Sequence, residues 1–363
     1  PPLSLSCSLQ ARIPAHCFKR CTLTSLRYMV TDLVVVAALY YASTWIGHPA
    51  LPGWTAYVLW PLYWWFQGAF MTGLWVIAHE CGHRAFSDNF FLGDVVGITL
   101  HSALLVPYHP WRISHAKHHR STNSMEFDEV FIPLTRSEAG EHPNPADELP
   151  GLLAPVYRFV EIAKMLLFGW PVYLTTHVTG RKYGTRTNHF EPWSPLFSEK
   201  EYWQVVVSDL ALGAVLYTLY TLGSAFGWLW LVKVYVIPYL IVNGWLVCIT
   251  DLQHTDPSLP HYRGASWTWL KGALCTIDRD YGWFNSVFHH IGDTHIAHHL
   301  FSTMPHYHAQ EATEAIKPLL GPYYVKDDVA PGLLGIAQAL WKTSRFCRFV
   351  EDEGEVLWWR HKK

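Results

Sequence analysis

The sequence predicts an all-α integral membrane protein, with four transmembrane helices in two hairpins beneath a cytosolic helical cap that holds a dimetal site. Three observations carry this. Four stretches are long and apolar enough to cross a bilayer, nearly all positive charge lies outside them, and eight histidines fall in three tight motifs. The 363 residues are 50% hydrophobic and 15% charged, against roughly 25% charged in soluble domains. The 19 Trp, 19 Tyr and 18 Phe suit a chain with two lipid–water interfaces, where Trp and Tyr gather. A net charge of −2 gives no electrostatic footing for nucleic acid.

The chain reads as a single domain, 1–363, in five segments. Residues 1–29 are a cytosolic N-terminal segment with Arg12, Lys19, Arg20 and Arg27. Residues 30–78 are the first hairpin: Val30–Ile46 spans a hydrocarbon core of about 30 Å, a Pro/Gly turn follows, and Trp54–Ala78 returns. Residues 79–204 belong to the cap. Within them 90–108 is apolar but broken by Gly93, Asp94, Gly97 and His101, and reads as a re-entrant or interfacial helix pair. Residues 152–179 mix Leu, Phe and Trp with Arg158, Glu161 and Lys164, the pattern of an interfacial amphipathic helix. Residues 205–250 are the second hairpin, Val205–Phe226 and Trp228–Thr250, and 251–363 complete the cap.

Charge supports this topology. No Lys or Arg occurs between Arg27 and Arg84, and only Lys233 occurs between Lys200 and Arg263. The side holding both termini and all three histidine motifs is therefore cytosolic by the positive-inside rule. Seven cysteines (7, 17, 21, 81, 248, 275 and 347) form no CxxC pair and read as free thiols.

The motifs are His79-Glu-Cys-Gly-His83, His115-Ala-Lys-His118-His119 and His295-Ile-Ala-His298-His299. On a helix those offsets put each set on one face, about 5–6 Å apart between Cβ atoms. Eight imidazoles exceed the needs of one four-coordinate zinc and suit two first-row ions, of which iron with open positions allows oxygen chemistry. The isolated His48, His142 and His361 read as ordinary polar residues. The first motif also fits H-E-x-x-H, the zinc-protease pattern with Glu80 as general base. A catalytic zinc takes three protein ligands and a water, which leaves five clustered histidines without a task. Gly82 is also a poor helix former. A long acyl chain, passing from the bilayer into a dry tunnel, is the substrate that needs four spans beside an oxidising metal site.

The order HxxxH, HxxHH, HxxHH around two helical hairpins resembles the membrane fatty acid desaturases, closest to the plant and algal oleate Δ12 (ω-6) acyl-lipid group. The likeness runs from Ile13-Pro-Ala-His-Cys-Phe-Lys19 onward. It rests on HECGHRAFSD (79–88), HSALLVPYHPWRISHAKHH (101–119), LQHTDPSLPHY (252–262) and DTHIAHHLFSTMPHYHAQEAT (293–313). Glu80 and STMPHYH lean to the Δ12 group, and HPWRISH leans to the ω-3 group.

The resemblance implies two non-haem irons with O₂ as co-substrate. With two electrons these turn a CH₂–CH₂ unit of an oleoyl chain into a cis double bond, giving linoleoyl and two waters. It implies phosphatidylcholine-linked oleate as substrate, residence in the endoplasmic reticulum membrane, and cytochrome b5 with NADH-cytochrome b5 reductase as electron source. No His-Pro-Gly-Gly haem motif occurs, so the donor is a separate protein. Hydroxylation, conjugation and ω-3 desaturation stay open on the same fold. The expected ligands are His79, His83, His115, His118, His119, His295, His298 and His299, with His254 as a ninth. His289, His290, His306 and His308 are expected beside or outside the centre. Asp88, Asp128 and Asp293 are expected to accept imidazole N–H bonds, which orient metal ligands. Trp60, Trp64 and Trp65 read as interface anchors or hairpin packing, and Asn243 as a tunnel or interhelical contact.

Overall fold

The computed structural model describes residues 4–140, 144–325 and 327–362; His142 lies outside them. The chain is mostly helical. The helices that build the site are α1 (Ser4–Arg12), α2 (Thr22–Ser43), α3 (Thr55–Gly82), α4 (Phe90–Ala103), α5 (Tyr108–Ser121), α6 (Leu153–Thr176), α7 (Tyr202–Phe226), α8 (Trp228–His254), α9 (His295–Leu300), α10 (Ala309–Leu320) and α11 (Gly332–Phe346). One antiparallel pair, β1 (His261–Tyr262) with β2 (Val356–Leu357), pins the C-terminal segment to the region after α8.

Among the described residues three helices are long and apolar enough to cross a membrane: α2, α7 with its leading turn, and α8. Helix α2 starts earlier than the expected Val30 and stops at Ser43. There the Ser43 and Thr44 hydroxyls bond the carbonyls of Tyr40 and Tyr41, and Gly47 turns the chain at φ 88°. The expected second span is α3, 28 residues long. Its Trp, Tyr, Gly and Gln content holds its hydropathy below that of the other three. From Gln67 to Cys81 every residue but Phe70 is buried, so this half of α3 faces protein. Helices α7 and α8 meet at Gly227, whose φ of 97° is open to glycine at little cost. A π turn at Val232–Val236 precedes Pro238, a residue that has no N–H for a regular ladder. Helix α8 runs past the expected Thr250 to His254, and that extra turn delivers a histidine to the site.

The expected helix pair is present, but only its first arm falls within residues 90–108; the second begins at Tyr108 and runs on to Ser121. The first arm, α4, is N-capped by Asn89 Oδ1 accepting from the Leu92 N–H at 3.1 Å. Helix α5 follows at 105° to it, after Leu105 at φ 55°. This bent pair is a broken span or a re-entrant loop, and its second arm carries the middle histidine motif. Residues 152–179 form the expected helix, α6, ending in His177 at φ 53°.

Helix α3 packs between α2 and α8. Trp64 Nε1 donates to the Lys233 carbonyl at 2.9 Å, the Lys233 amine lies 5.1 Å above Trp60, and Trp65 meets Trp245 at 5.4 Å. The three tryptophans thus fasten the two hairpins to each other. Asn243 is buried in α8 and lines neither cavity beside the histidines. All seven cysteines are free. His48 and His361 lie beside Trp45 and Phe346, at 5.0 Å each.

A Cβ on Gly68 would stand 2.5 Å from Ile241 Cγ2 and 2.9 Å from the Pro238 carbonyl, whereas one on Gly213 meets nothing within 4 Å. Overpacking a close helix contact costs about 1–3 kcal/mol. Gly68→Ala is therefore expected to lower the thermal unfolding midpoint in detergent, and Gly213→Ala to leave it unchanged or raise it.

Candidate metal centre

Four helix ends converge. His79 sits on the last turn of α3 and His83 caps that helix. Helix α5 presents His115, His118 and His119, α9 presents His295, His298 and His299, and α8 ends on His254. Eight of the nine are buried, and His115 is nearly so.

The nine imidazoles sort into two groups. His79, His83, His115, His119 and His298 each place one ring nitrogen within 4.8 Å of the others, and His118, His254 and His299 do the same. His295 joins the second group, its Nε2 lying 3.1 Å from that of His254 and of His299. In the first group the Nε2 separations are 3.1 Å (His79–His115), 3.2 Å (His79–His83) and 3.2 Å (His115–His119). In the second, His118 and His254 stand 3.3 Å apart. Nitrogens at about 2.1 Å from a common ion and at right angles stand roughly 3 Å apart. The separations are those of neighbouring ligands.

Two tautomers follow from the outer nitrogens. Asp128 accepts from His118 Nδ1–H at 2.7 Å. Its carboxylate also takes the backbone N–H groups of Asn123 and Val130, each at 2.9 Å. Burial would raise the Asp128 pKa, but His118 and these donors hold it below the usual value, so it stays an acceptor. The Thr122 hydroxyl donates to the His118 carbonyl at 2.7 Å and therefore accepts from His299 Nδ1–H at 3.2 Å. Both rings then turn an Nε2 lone pair inward. Burial first, and the charge of neighbouring rings second, push His83, His115, His119, His295 and His299 well below the ordinary imidazole pKa. Neutral imidazoles with facing lone pairs in a dry interior repel one another; a cation turns that repulsion into ligation. The residues fit a pair of metal ions.

A narrow cavity of about 40 Å³ opens beside both groups, walled by Thr72, Trp75, Phe131 and Ile249. It shares Trp75, His115, Phe131 and Leu246 with a second cavity of about 140 Å³ that reaches Gly169 and Met165 of α6 and Val247 of α8. The route from the metal-binding groups thus leads between α6 and α8. Phe131 stacks on His254 at 5.1 Å and Trp111 on His115 at 4.6 Å, closing the space around the rings to water.

Two expected acceptors are elsewhere. Asp88 is exposed and pairs with Arg20 at 2.8 Å, because the chain turns outward after His83. Asp293 accepts from His290 Nδ1 at 2.9 Å, three residues back on the same turn and not from a ring of either group. His289 Nε2 meets the buried Asp32 of α2 at 2.7 Å, and the His306 N–H donates to Glu80 at 2.9 Å. Glu80, the general base of the protease reading, is thus engaged by backbone. Sequence reading missed Thr122, Trp75, Trp111 and Phe131. It also missed a brace behind α5 in which His177 bonds Glu129 at 3.0 Å and His189 bonds Ser114 at 3.0 Å. Only Asp128, ten residues past His118, offered a spacing cue.

The chain is helical, with three segments long and apolar enough to cross a membrane and two buried polyhistidine groups that could each hold a metal. Comparison with known proteins gives the class. The description of the fatty acid desaturases matches residues 52–330. The chain is similar to the Delta(12)-acyl-lipid-desaturase of Punica granatum (49% identical, over 99% of this chain and 91% of that one). It is equally similar to the omega-6 fatty acid desaturase, endoplasmic reticulum isozyme 1, of Glycine max (49% identical; 100% and 91%). It is 45% identical to the oleoyl-12-hydroxylase of Ricinus communis (100% and 92%). The chain belongs to the fatty acid desaturase family and is an oxidoreductase.

Loss of a hydrogen-bond partner behind a metal-ligating histidine lowers metal affinity about 10–100-fold. Asp128→Ala is expected to do so, read as metal retained per chain after dialysis against a chelator. Asp88→Ala is the control and should retain as much metal as the unaltered protein.

Proposed function

We propose that this protein is a Δ12 acyl-lipid desaturase, converting oleoyl to linoleoyl chains with O₂ at two non-haem irons. The observation that carries the reading is the nine imidazoles at the head of an apolar cavity, in a chain 49% identical over its length to a Delta(12)-acyl-lipid-desaturase. His79, His83, His115, His119 and His298 would hold one iron, and His118, His254, His295 and His299 the other. Iron held there supplies the reduction of O₂ and the removal of hydrogen from an unactivated C–H bond.

The rest is the work of the chain. Asp128 and Thr122 fix the tautomers of His118 and His299, so that Nε2 faces inward. Trp75, Trp111 and Phe131 keep water from the rings. The acyl chain enters between α6 and α8, past Met165 and Val247, and lies against Thr72 and Ile249 below the histidines.

In this reading α2, α3, α7 and α8 are the four spans, and the histidines face the cytosol. The charge distribution supports it: the loop between α2 and α3 has no Lys or Arg, and Lys233 at the other tip lies over Trp60. The relative from Glycine max is named as an endoplasmic reticulum isozyme, which supports that membrane as the location. Phosphatidylcholine-linked oleate is the proposed substrate, and cytochrome b5, served by its NADH-dependent reductase, the electron donor.

Expression in a yeast that makes no polyunsaturated lipid, followed by gas chromatography of its fatty acids, tests the reaction. Linoleate is the expected new product, and His118→Ala is expected to abolish it. Ricinoleate, a conjugated triene, or α-linolenate formed only from supplied linoleate would contradict the Δ12 assignment.

A further inference from the structure

A second cluster of metal-type donors stands apart from the nine histidines. The 3₁₀ turn Ala15–Phe18 carries His16 and Cys17, and His308 and Glu311 sit at the start of α10. His308 and Glu311 are three residues apart and share one helix face. His16 Nε2 lies 2.8 Å from Glu311 Oε2 and 3.7 Å from Cys17 Sγ, and the rings of His16 and His308 meet edge-on at 5.4 Å. One donor atom from each of the four lies within 4.8 Å of the others.

We propose that His16, Cys17, His308 and Glu311 form a structural zinc site that clasps the N-terminal segment to the start of α10. Four donors of thiolate, imidazole and carboxylate type match the closed tetrahedral set that zinc takes in structural sites. Sulfur at about 2.3 Å and nitrogen at about 2.1 Å from a tetrahedral ion stand roughly 3.6 Å apart, close to the Cys17–His16 separation. A plain ion pair between His16 and Glu311, both half-exposed, leaves the other two donors unexplained. Cys17 is fully buried with Leu9, Ile13 and Ile316. Burial and the Glu311 carboxylate push its thiol up to about 11, so without a cation the thiol keeps its proton. A bound cation reverses that preference and releases the proton to solvent as the thiolate ligates. The exposed edges of His16 and Glu311 give the ion an aqueous path in.

The clasp lies next to the third histidine motif in sequence and in space. Phe18 packs edge-on against Phe301 at 5.7 Å, and the Cys21 N–H donates to the Tyr307 hydroxyl at 2.8 Å. Zinc here would hold the stretch that follows His298 and His299 without touching either metal-binding group.

The test is metal analysis of the full chain in detergent, after incubation with zinc and dialysis against zinc-free buffer. About one zinc per chain is expected in addition to the iron. Cys17→Ser and Glu311→Gln should each lose that zinc and keep the iron. The half-exposed Glu311→Gln keeps shape and burial, so it decides the matter if Cys17→Ser misfolds. Replacement of the zinc by cobalt should give a thiolate-to-cobalt absorption band that Cys17→Ser lacks. Failure of the unaltered protein to retain zinc, or retention of equal zinc by Glu311→Gln, overturns the site.

Discussion

Nine imidazoles are packed into a dry space with neighbouring ring nitrogens 3.1–3.3 Å apart, and the rest of the molecule is arranged around that crowding. A protein gains nothing by packing rings this way unless cations sit among them. Buried donors and acceptors on the far side of the rings, Asp128 behind His118 and Thr122 behind His299, stop them from rotating to present N–H groups instead. Burial favours the neutral form of His83, His115, His119, His295 and His299, and neutral rings are what a metal needs from histidine.

The membrane helices do two tasks at once. Helix α3 runs without a break from Thr55 to the turn that carries His79, and α8 runs on to His254. Glycines allow α3 its close contacts: Gly68 lets it lie on Ile241 and Pro238 of α8, and Gly73 lets it approach Val287 and the Asp32 that anchors His289. The bend between α4 and α5 turns an apolar segment back toward the same point. The apolar walls that these helices share with α6 line two adjoining cavities beside the metal-binding rings, so in the proposed function substrate access and metal binding come from one packing arrangement.

Much of the centre was legible in the sequence because its chemistry is local. Offsets of three and four residues place imidazoles on one helix face regardless of what surrounds them, so the three motifs stood out, and His254 followed from its place at a span's end. The boundaries of the spans were less legible. Trp and Tyr make α3 look like lipid-facing helix and interface together, while half of it faces protein. Long-range partners carried no signal: nothing near Asp88 says that Arg20 will draw it outward, and nothing near Glu80 says that the His306 backbone will occupy it. The turn at Leu105 that separates α4 from α5 uses a left-handed non-glycine residue, which composition does not announce. His16 and Cys17 lie nearly three hundred residues before His308 and Glu311 along the chain, and only the fold brings the two pairs together.

X-ray absorption at the iron edge of the purified protein tests the central claim most directly. Two irons per chain, each surrounded by light scatterers with the multiple-scattering pattern of several imidazoles and no sulfur, are the expected result. A single metal ion, a sulfur ligand, or a shell dominated by carboxylate oxygen would contradict a centre built from these nine rings.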